Sequence, residues 1–325
     1  MISFETILLA ILPIYLLVAL GCVLRWRKVL TAEMEKGMMQ FVVHCLFPCL
    51  IIDKMIGSEV LRTPSTVGWG ISLGFIGILC GILIAYGIGT LLGLDHGSGR
   101  RTFALSSGIQ NYGYVAVPLL AALFATDGRD DVLGMLFVHS VGVEIAIWSI
   151  GLITLSGTMK GALKNLCNGP IIAVFVGLIL VYTNGWLQLD LEKGALVGKV
   201  IRQVMTWLGA CAFPVALVLI GATMFDLLGK ERLSLKVSLG AVLVRTILMP
   251  IALLCAGKWL PIVTELQQVL LVQAAMPAAV TPILLARMYG GRPQIAMQVF
   301  LVTAFVGLFS MPLIVAWGLK FIGLN

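Results

Sequence analysis

Gln110-Asn111-Tyr112-Gly113-Tyr114-Val115-Ala116-Val117-Pro118-Leu119 is the stretch that decides the fold. It is read with a second one, Ala274-Ala275-Met276-Pro277-Ala278-Ala279-Val280-Thr281-Pro282-Ile283-Leu284. Each lies inside an apolar segment long enough to cross a bilayer. Each also carries helix breakers: Gly113 and Pro118 in the first, Pro277 and Pro282 in the second. Hydrocarbon offers no water to freed N–H and C=O groups. A break therefore survives in a spanning helix only where protein or a wet cavity satisfies it. Two interrupted spans in matching halves of a chain are the best pointer a sequence offers to a transport site.

The surrounding composition agrees. Of 325 residues, 60% are hydrophobic and only 11% charged, with a mean hydropathy of +1.06. A soluble domain carries about 25% charged residues. Long apolar runs in place of short alternating strands imply an all-α integral membrane protein, not a barrel. The net charge of +7 is not a nucleic-acid footprint, because the basic residues are scattered over short loops as topology signals. The seven cysteines form no CxxC pair and no zinc-type spacing, and read as small core residues. The first apolar segment lacks the basic flank and cleavage site of a signal peptide.

Ten transmembrane helices are expected near residues 6–25, 37–57, 67–92, 101–125, 132–156, 169–187, 198–224, 236–257, 265–288 and 294–320. Of the 22 Lys and Arg, 13 fall in the odd-numbered loops, 8 in the even loops and tails, and Arg245 within a span. That bias puts the odd loops in the cytoplasm and both termini on the non-cytoplasmic side. The outer turn 127–131 carries three aspartates, a candidate divalent-ion or prenyltransferase-like cluster, and is read as solvated.

The chain repeats itself. Phe47-Pro48 recurs 166 residues later as Phe213-Pro214, and Pro118 recurs 164 residues later as Pro282. Span and loop lengths run in parallel along residues 1–160 and 165–325. Five spans per copy force the second to insert upside down, so the repeats are inverted, with broken crossover helices 4 and 9. A site is then expected near the midplane.

Asn111 offers two donors and an acceptor at no charge cost, with Tyr112 and Tyr114 around Gly113 beside it. Simple kinking at Pro118, with Asn111 bonding a neighbouring helix, is the structural alternative. In the second break Pro277, Thr281 and Pro282 leave carbonyls exposed, and Gln273 lies one turn earlier. On the 164-residue offset Asn111 maps to Ala275, so the site should be polar on one side, with Thr281 and Gln273 as substitutes. Four further polar residues are candidates for charge or proton coupling. Glu144 could exchange protons. Arg245 could attract an anion or pair with Glu144. His44 reads as a helix–helix contact ahead of a proton relay, and Asp53, beside Lys54, reads as interfacial. No HExxH, Walker loop or Ser/His pair on compatible helix faces points to an enzyme, and no cofactor or metal is expected.

The motif Asn111-x6-Pro118, together with Gln273-Ala-Ala-Met-Pro277-Ala-Ala-Val-Thr281-Pro282, resembles the auxin efflux carrier family. Arg245 with Pro250, and Leu46-Phe47-Pro48, fit the same pattern, and the resemblance covers the whole chain. The short central loop resembles the bacterial members. The resemblance implies a scaffold and a crossover bundle, elevator-type alternating access and a small organic anion as substrate: auxin in plants, malonate, malate or related carboxylates in bacteria. It carries Asn111 over as a substrate-contacting residue. The expected setting is the bacterial inner membrane, with the lipid bilayer and a second copy in a homodimer as partners, and no nucleic acid. Two other readings stay open: a sodium-coupled symporter of the bile-acid carrier type, and a membrane sensor that binds without translocating.

Overall fold

The computed structural model describes residues 4–94, 98–125, 131–157, 166–183, 196–228 and 234–324. The aspartate-rich turn at 127–131 falls largely outside these, with only Asp131 described. The described chain is helical throughout, and its one strand-like feature is an isolated bridge between Gln110 and Ala278. In order the helices are α1 (Phe4–Trp26), α2 (Ala32–Met55), α3 (Pro64–Leu91), α4 (Ser98–Gly108), α5 (Ala116–Phe124) and α6 (Asp131–Ser156). Then follow α7 (Gly169–Tyr182), α8 (Leu196–Leu227), α9 (Leu235–Trp259), α10 (Thr264–Ala275), α11 (Thr281–Met288) and α12 (Pro293–Ile322).

Seven of these, α1, α2, α3, α6, α8, α9 and α12, are long and apolar enough to cross a membrane. The other three expected spans fall short of that length for identifiable reasons. Two are interrupted, as α4–α5 and α10–α11, and the third is described only as the shorter apolar α7.

Local chemistry explains the helix boundaries. Pro64, Pro170 and Pro293 stand in first turns, where a missing N–H costs nothing. The Asn168 side chain caps α7 by accepting from the Ile171 N–H at 3.0 Å. Within α2 and α9 a wide turn, Val42–Leu46 and Val244–Leu248, lies just before Pro48 and Pro250. A proline ring clashes with the carbonyl four residues back, and widening the turn relieves the clash.

Helix contacts sort the chain into two groups. One contains α1, α2, α7 and α8; the other contains α3–α6 and α9–α12. Glycines set the closest crossings. A Cβ on Gly21 would lie 2.0 Å from the Val218 carbonyl oxygen, and one on Gly221 would lie 1.9 Å from that of Val18. Gly74 and Gly142 bring α3 against α6 in the same way. Small residues are what lets membrane helices approach this closely. The outer faces remain apolar, as with Leu9 and Leu16 on α1 and Phe305 and Leu313 on α12, all at least 60% exposed.

Polar pairs lie at helix ends. Arg25 of α1 pairs with Glu35 of α2 and, at 3.2 Å, with Asp226 of α8. Asp53 lies two residues from the end of α2. It is buried between α2 and α8, where Arg202 Nε reaches it at 3.4 Å and the Thr206 hydroxyl donates to it at 3.0 Å.

Candidate functional site

The two breaks meet and satisfy each other's backbone. The Asn111 N–H donates to the Pro277 carbonyl at 2.8 Å, and the Ala279 N–H donates to the Ile109 carbonyl at 3.0 Å. Between these bonds Gln110 and Ala278 sit opposite each other, antiparallel. Side chains supply the remaining partners. Gln273 Nε2 donates to the Tyr112 carbonyl at 3.1 Å, and the Thr303 hydroxyl of α12 accepts from the Ala278 N–H at 3.0 Å. Arg245 Nε and Nη2 both donate to the Met276 carbonyl, at 3.2 and 2.7 Å. Each helix is thus broken where the other can take up the freed groups, as a low-dielectric setting requires.

Thr303 was not legible in the sequence. One threonine in an apolar span gives no sign that its hydroxyl serves a backbone 25 residues away. Thr303→Val keeps the shape and removes the acceptor, leaving a buried N–H unpaired. The expected loss is about 1–3 kcal/mol of stability, seen as a lower melting temperature of purified protein, with larger loss of transport than a Val substitution at a lipid-facing site.

Beside the breaks lies a cavity of about 210 Å³. The first break contributes Asn111, Tyr112, Gly113 and Tyr114, the second Ala279 and Val280, and the start of α11 Thr281. Helix α6 adds Phe137, Ser140, Glu144 and Trp148, while α2 and α7 close the far side with Val43, Phe47, Asn168 and Ile171 among others. The wall is therefore shared by the two helix groups. Asn111 is 3% exposed, and among the described residues no protein group pairs with its carboxamide. The Glu144 carboxylate accepts from the Tyr112 hydroxyl and, at 2.8 Å, from the Trp148 indole N–H. Tyr114 sets its ring edge-on to Phe47 at 5.6 Å and its hydroxyl 3.9 Å from the Met39 sulfur. Phe47 in turn meets its sequence counterpart Phe213, with ring centroids 6.2 Å apart.

Of the sequence candidates, Asn111, Tyr112, Gly113, Tyr114, Thr281 and Glu144 line the cavity. Gln273 and Pro277 stand behind it and hold the breaks together. Pro118 and Pro282 belong to the half-helices α5 and α11 and do not reach the wall. Arg245 does not pair with Glu144 and does not line the cavity. It is fully buried, and its cation is directed at the Met276 carbonyl that ends α10, where a helix terminus is partly negative. The backbone of His44 lies against Gly169 at the start of α7, while its side chain is exposed. Its Nδ1 lies 2.9 Å from the Gln40 carbonyl of its own helix, and it lines a second hollow of about 530 Å³ with Glu35, Lys36, Asp226 and Arg287. Asp53, buried against α8, lies outside both.

The offset of 164 also needs correction at the breaks. The first runs over 109–115 and the second over 276–280. They differ in length, so no single offset passes through both. Counted from the ends of α4 and α10, Asn111 stands level with Ala278, not Ala275. Sequence reasoning also missed Ser140 and Trp148. They sit four residues on either side of Glu144, a spacing that places all three on one helix face.

A protein-family model described as membrane transport protein matches residues 6–162 and 154–315. No curated protein matches the chain. Family membership, seven spanning-length apolar helices and the auxin efflux carrier motifs agree. The chain belongs to the membrane transport protein family, that of the auxin efflux carriers, and is a multi-pass membrane transporter.

Proposed function

We propose that this transporter carries a small organic anion, a single carboxylate on a largely apolar body, across a bacterial inner membrane by alternating access. The observation that carries the reading is the Asn111 carboxamide, buried and without a partner among the described residues, in the wall of the cavity beside two bonded helix breaks. A carboxamide gives two N–H donors to a carboxylate without adding charge to a low-dielectric site. The starts of α5 and α11 adjoin the same cavity, and N-terminal helix ends favour negative charge. Phe47, Phe137, Ile171 and Trp148 suit an apolar body. With no Lys or Arg in the wall among the described residues, a dianion such as malonate or malate is the poorer fit.

The movement follows from a ten-span arrangement of two inverted repeats, residues 1–160 and 165–325, in which α4–α5 and α10–α11 are the crossover spans. In this reading α1, α2, α7 and α8 are the scaffold. The other group slides past them, elevator fashion, carrying the crossing with it. The second hollow shares Val43 with the cavity and is the cytoplasmic approach, on the side that the Lys and Arg bias makes internal. Both termini are then outside.

Proteoliposome uptake tests this. Labelled phenylacetate should enter saturably and malonate poorly, and replacing sodium by choline should leave the rate unchanged. A requirement for sodium would favour the symporter reading. Ligand-induced thermal stabilisation without flux would favour a sensor, and neither binding nor flux of any organic acid would sink the assignment.

A further inference from the structure

We infer that Glu144 is the proton site of this transporter: its carboxyl takes up one proton with each organic anion bound and releases it when the anion leaves. The inference rests on the organic-anion reading above and adds the coupling ion to it. Glu144 lines the same cavity as Asn111. Two carboxylates in one small, poorly hydrated site cannot both be ionised at modest cost. A cation in the wall would remove the conflict, and none is present among the described residues. The first break contributes only Tyr112 and Tyr114 as ionisable groups, and α2, α7 and the second break contribute none to the wall.

Charged groups elsewhere are engaged or distant. Arg245 of α9 is bonded to the Met276 carbonyl, and Asp53 of α2 to Arg202 and Thr206 of α8. His44 faces the second hollow. His139, on α6 itself, is buried outside the cavity. On α3 the Tyr86 ring lies against Arg100 and Cys80 is outside the cavity wall; Arg100 and Arg101 of α4 and Glu265, in the first turn of α10, are outside it too. The neutralising charge must therefore come from solution, as a proton on Glu144.

The hydrogen bonds suit that role. Tyr112 and Trp148 each donate to a different carboxyl oxygen, which fixes the group in place whether or not it is protonated. A proton on it can then be donated to the substrate carboxylate, beside the N–H groups of Asn111. The balance is one anion and one proton moved together, with no net charge. Tyr112 belongs to the break that carries Asn111, so the two ligands of the site move as one body.

The test uses the full-length protein in lipid, as wild type and Glu144→Gln. Infrared difference spectra between about pH 5 and about pH 9, a range wide enough to cover a perturbed carboxyl, should contain a protonated carboxyl band that the variant lacks. Adding phenylacetate in weakly buffered solution with an indicator dye should take up one proton per anion in wild type and none in Glu144→Gln. In proteoliposomes, wild-type flux should fall about tenfold per pH unit on the alkaline side and ignore membrane potential. Glu144→Gln should lose the pH dependence and become potential-sensitive, which a purely structural role would not produce. Anion binding without proton uptake in wild type overturns the inference and leaves the function standing. Failure of phenylacetate to bind counts against the function instead. The infrared band then decides the inference alone: a Glu144 band that titrates supports it, and one that is missing or never changes overturns it.

Discussion

Asn111→Ala is expected to reduce phenylacetate transport by at least about tenfold while leaving the unliganded protein as stable as wild type. The two halves of that result have separate physical origins. Among the described residues no protein group pairs with the carboxamide, so its removal breaks no bond described within the fold. The Asn111 backbone N–H, which does bond Pro277, is retained in alanine. Against a bound carboxylate the loss is different. A hydrogen bond to a charged group contributes about 1.5–3 kcal/mol, and about 1.4 kcal/mol is a factor of ten in affinity. Melting curves with and without phenylacetate read both halves: an unchanged baseline temperature and a lost ligand-induced shift. Unaltered transport would remove Asn111 from the site. A lowered baseline would mean that the side chain has a structural partner after all.

The second large effect concerns assembly. Gly221→Ala should lower the melting temperature by an amount corresponding to about 1–3 kcal/mol, the usual penalty for forcing a methyl group into a packed interior. The added Cβ would stand 1.9 Å from the Val18 carbonyl oxygen, 2.8 Å from its carbon and 3.0 Å from the Gly21 Cα. All three are backbone atoms and cannot rotate away, so α1 and α8 must separate along their whole contact. Gly221→Leu should fail to give a monodisperse protein. Gly37→Ala is the control: it lies in α2 with nothing within 4 Å of the new methyl. Helix propensity predicts a gain there of up to about 1 kcal/mol. Equal melting temperatures for the two alanine variants would contradict the close crossing of α1 and α8.

The breaks were legible because Pro and Gly in a long apolar run leave backbone groups that something must satisfy. That something was not legible. Each break is completed mainly by the other, at a sequence distance of more than 160 residues, and by Gln273, Thr303 and Arg245. Arg245 illustrates the limit most directly. A buried cation and a buried carboxylate in one chain invite pairing, yet the rotation of α9 and α6 about their axes is set by packing. Arg245 meets a helix terminus, and Glu144 meets Tyr112 and Trp148.

Asn111 and Thr281 could be picked out as cavity residues because they are polar groups in broken apolar segments. Asp53 could be placed near a span end, but its burial could not be read, since that depends on how far the neighbouring helix extends. The unequal lengths of the two breaks, 109–115 and 276–280, also lay beyond any fixed offset.

By itself the sequence determined the class of protein, the helices and the positions at which two of them had to break. These follow from local quantities: apolar length, helix propensity and backbone groups without donors. Only the tertiary structure decided which groups answer those breaks, which helix faces enclose the cavity, and that Glu144 and Asn111 share it. Those outcomes depend on helix rotation and on approach distances at Gly21, Gly221, Gly74 and Gly142. Such distances are fixed by contacts between segments far apart in the chain, so no local pattern encodes them.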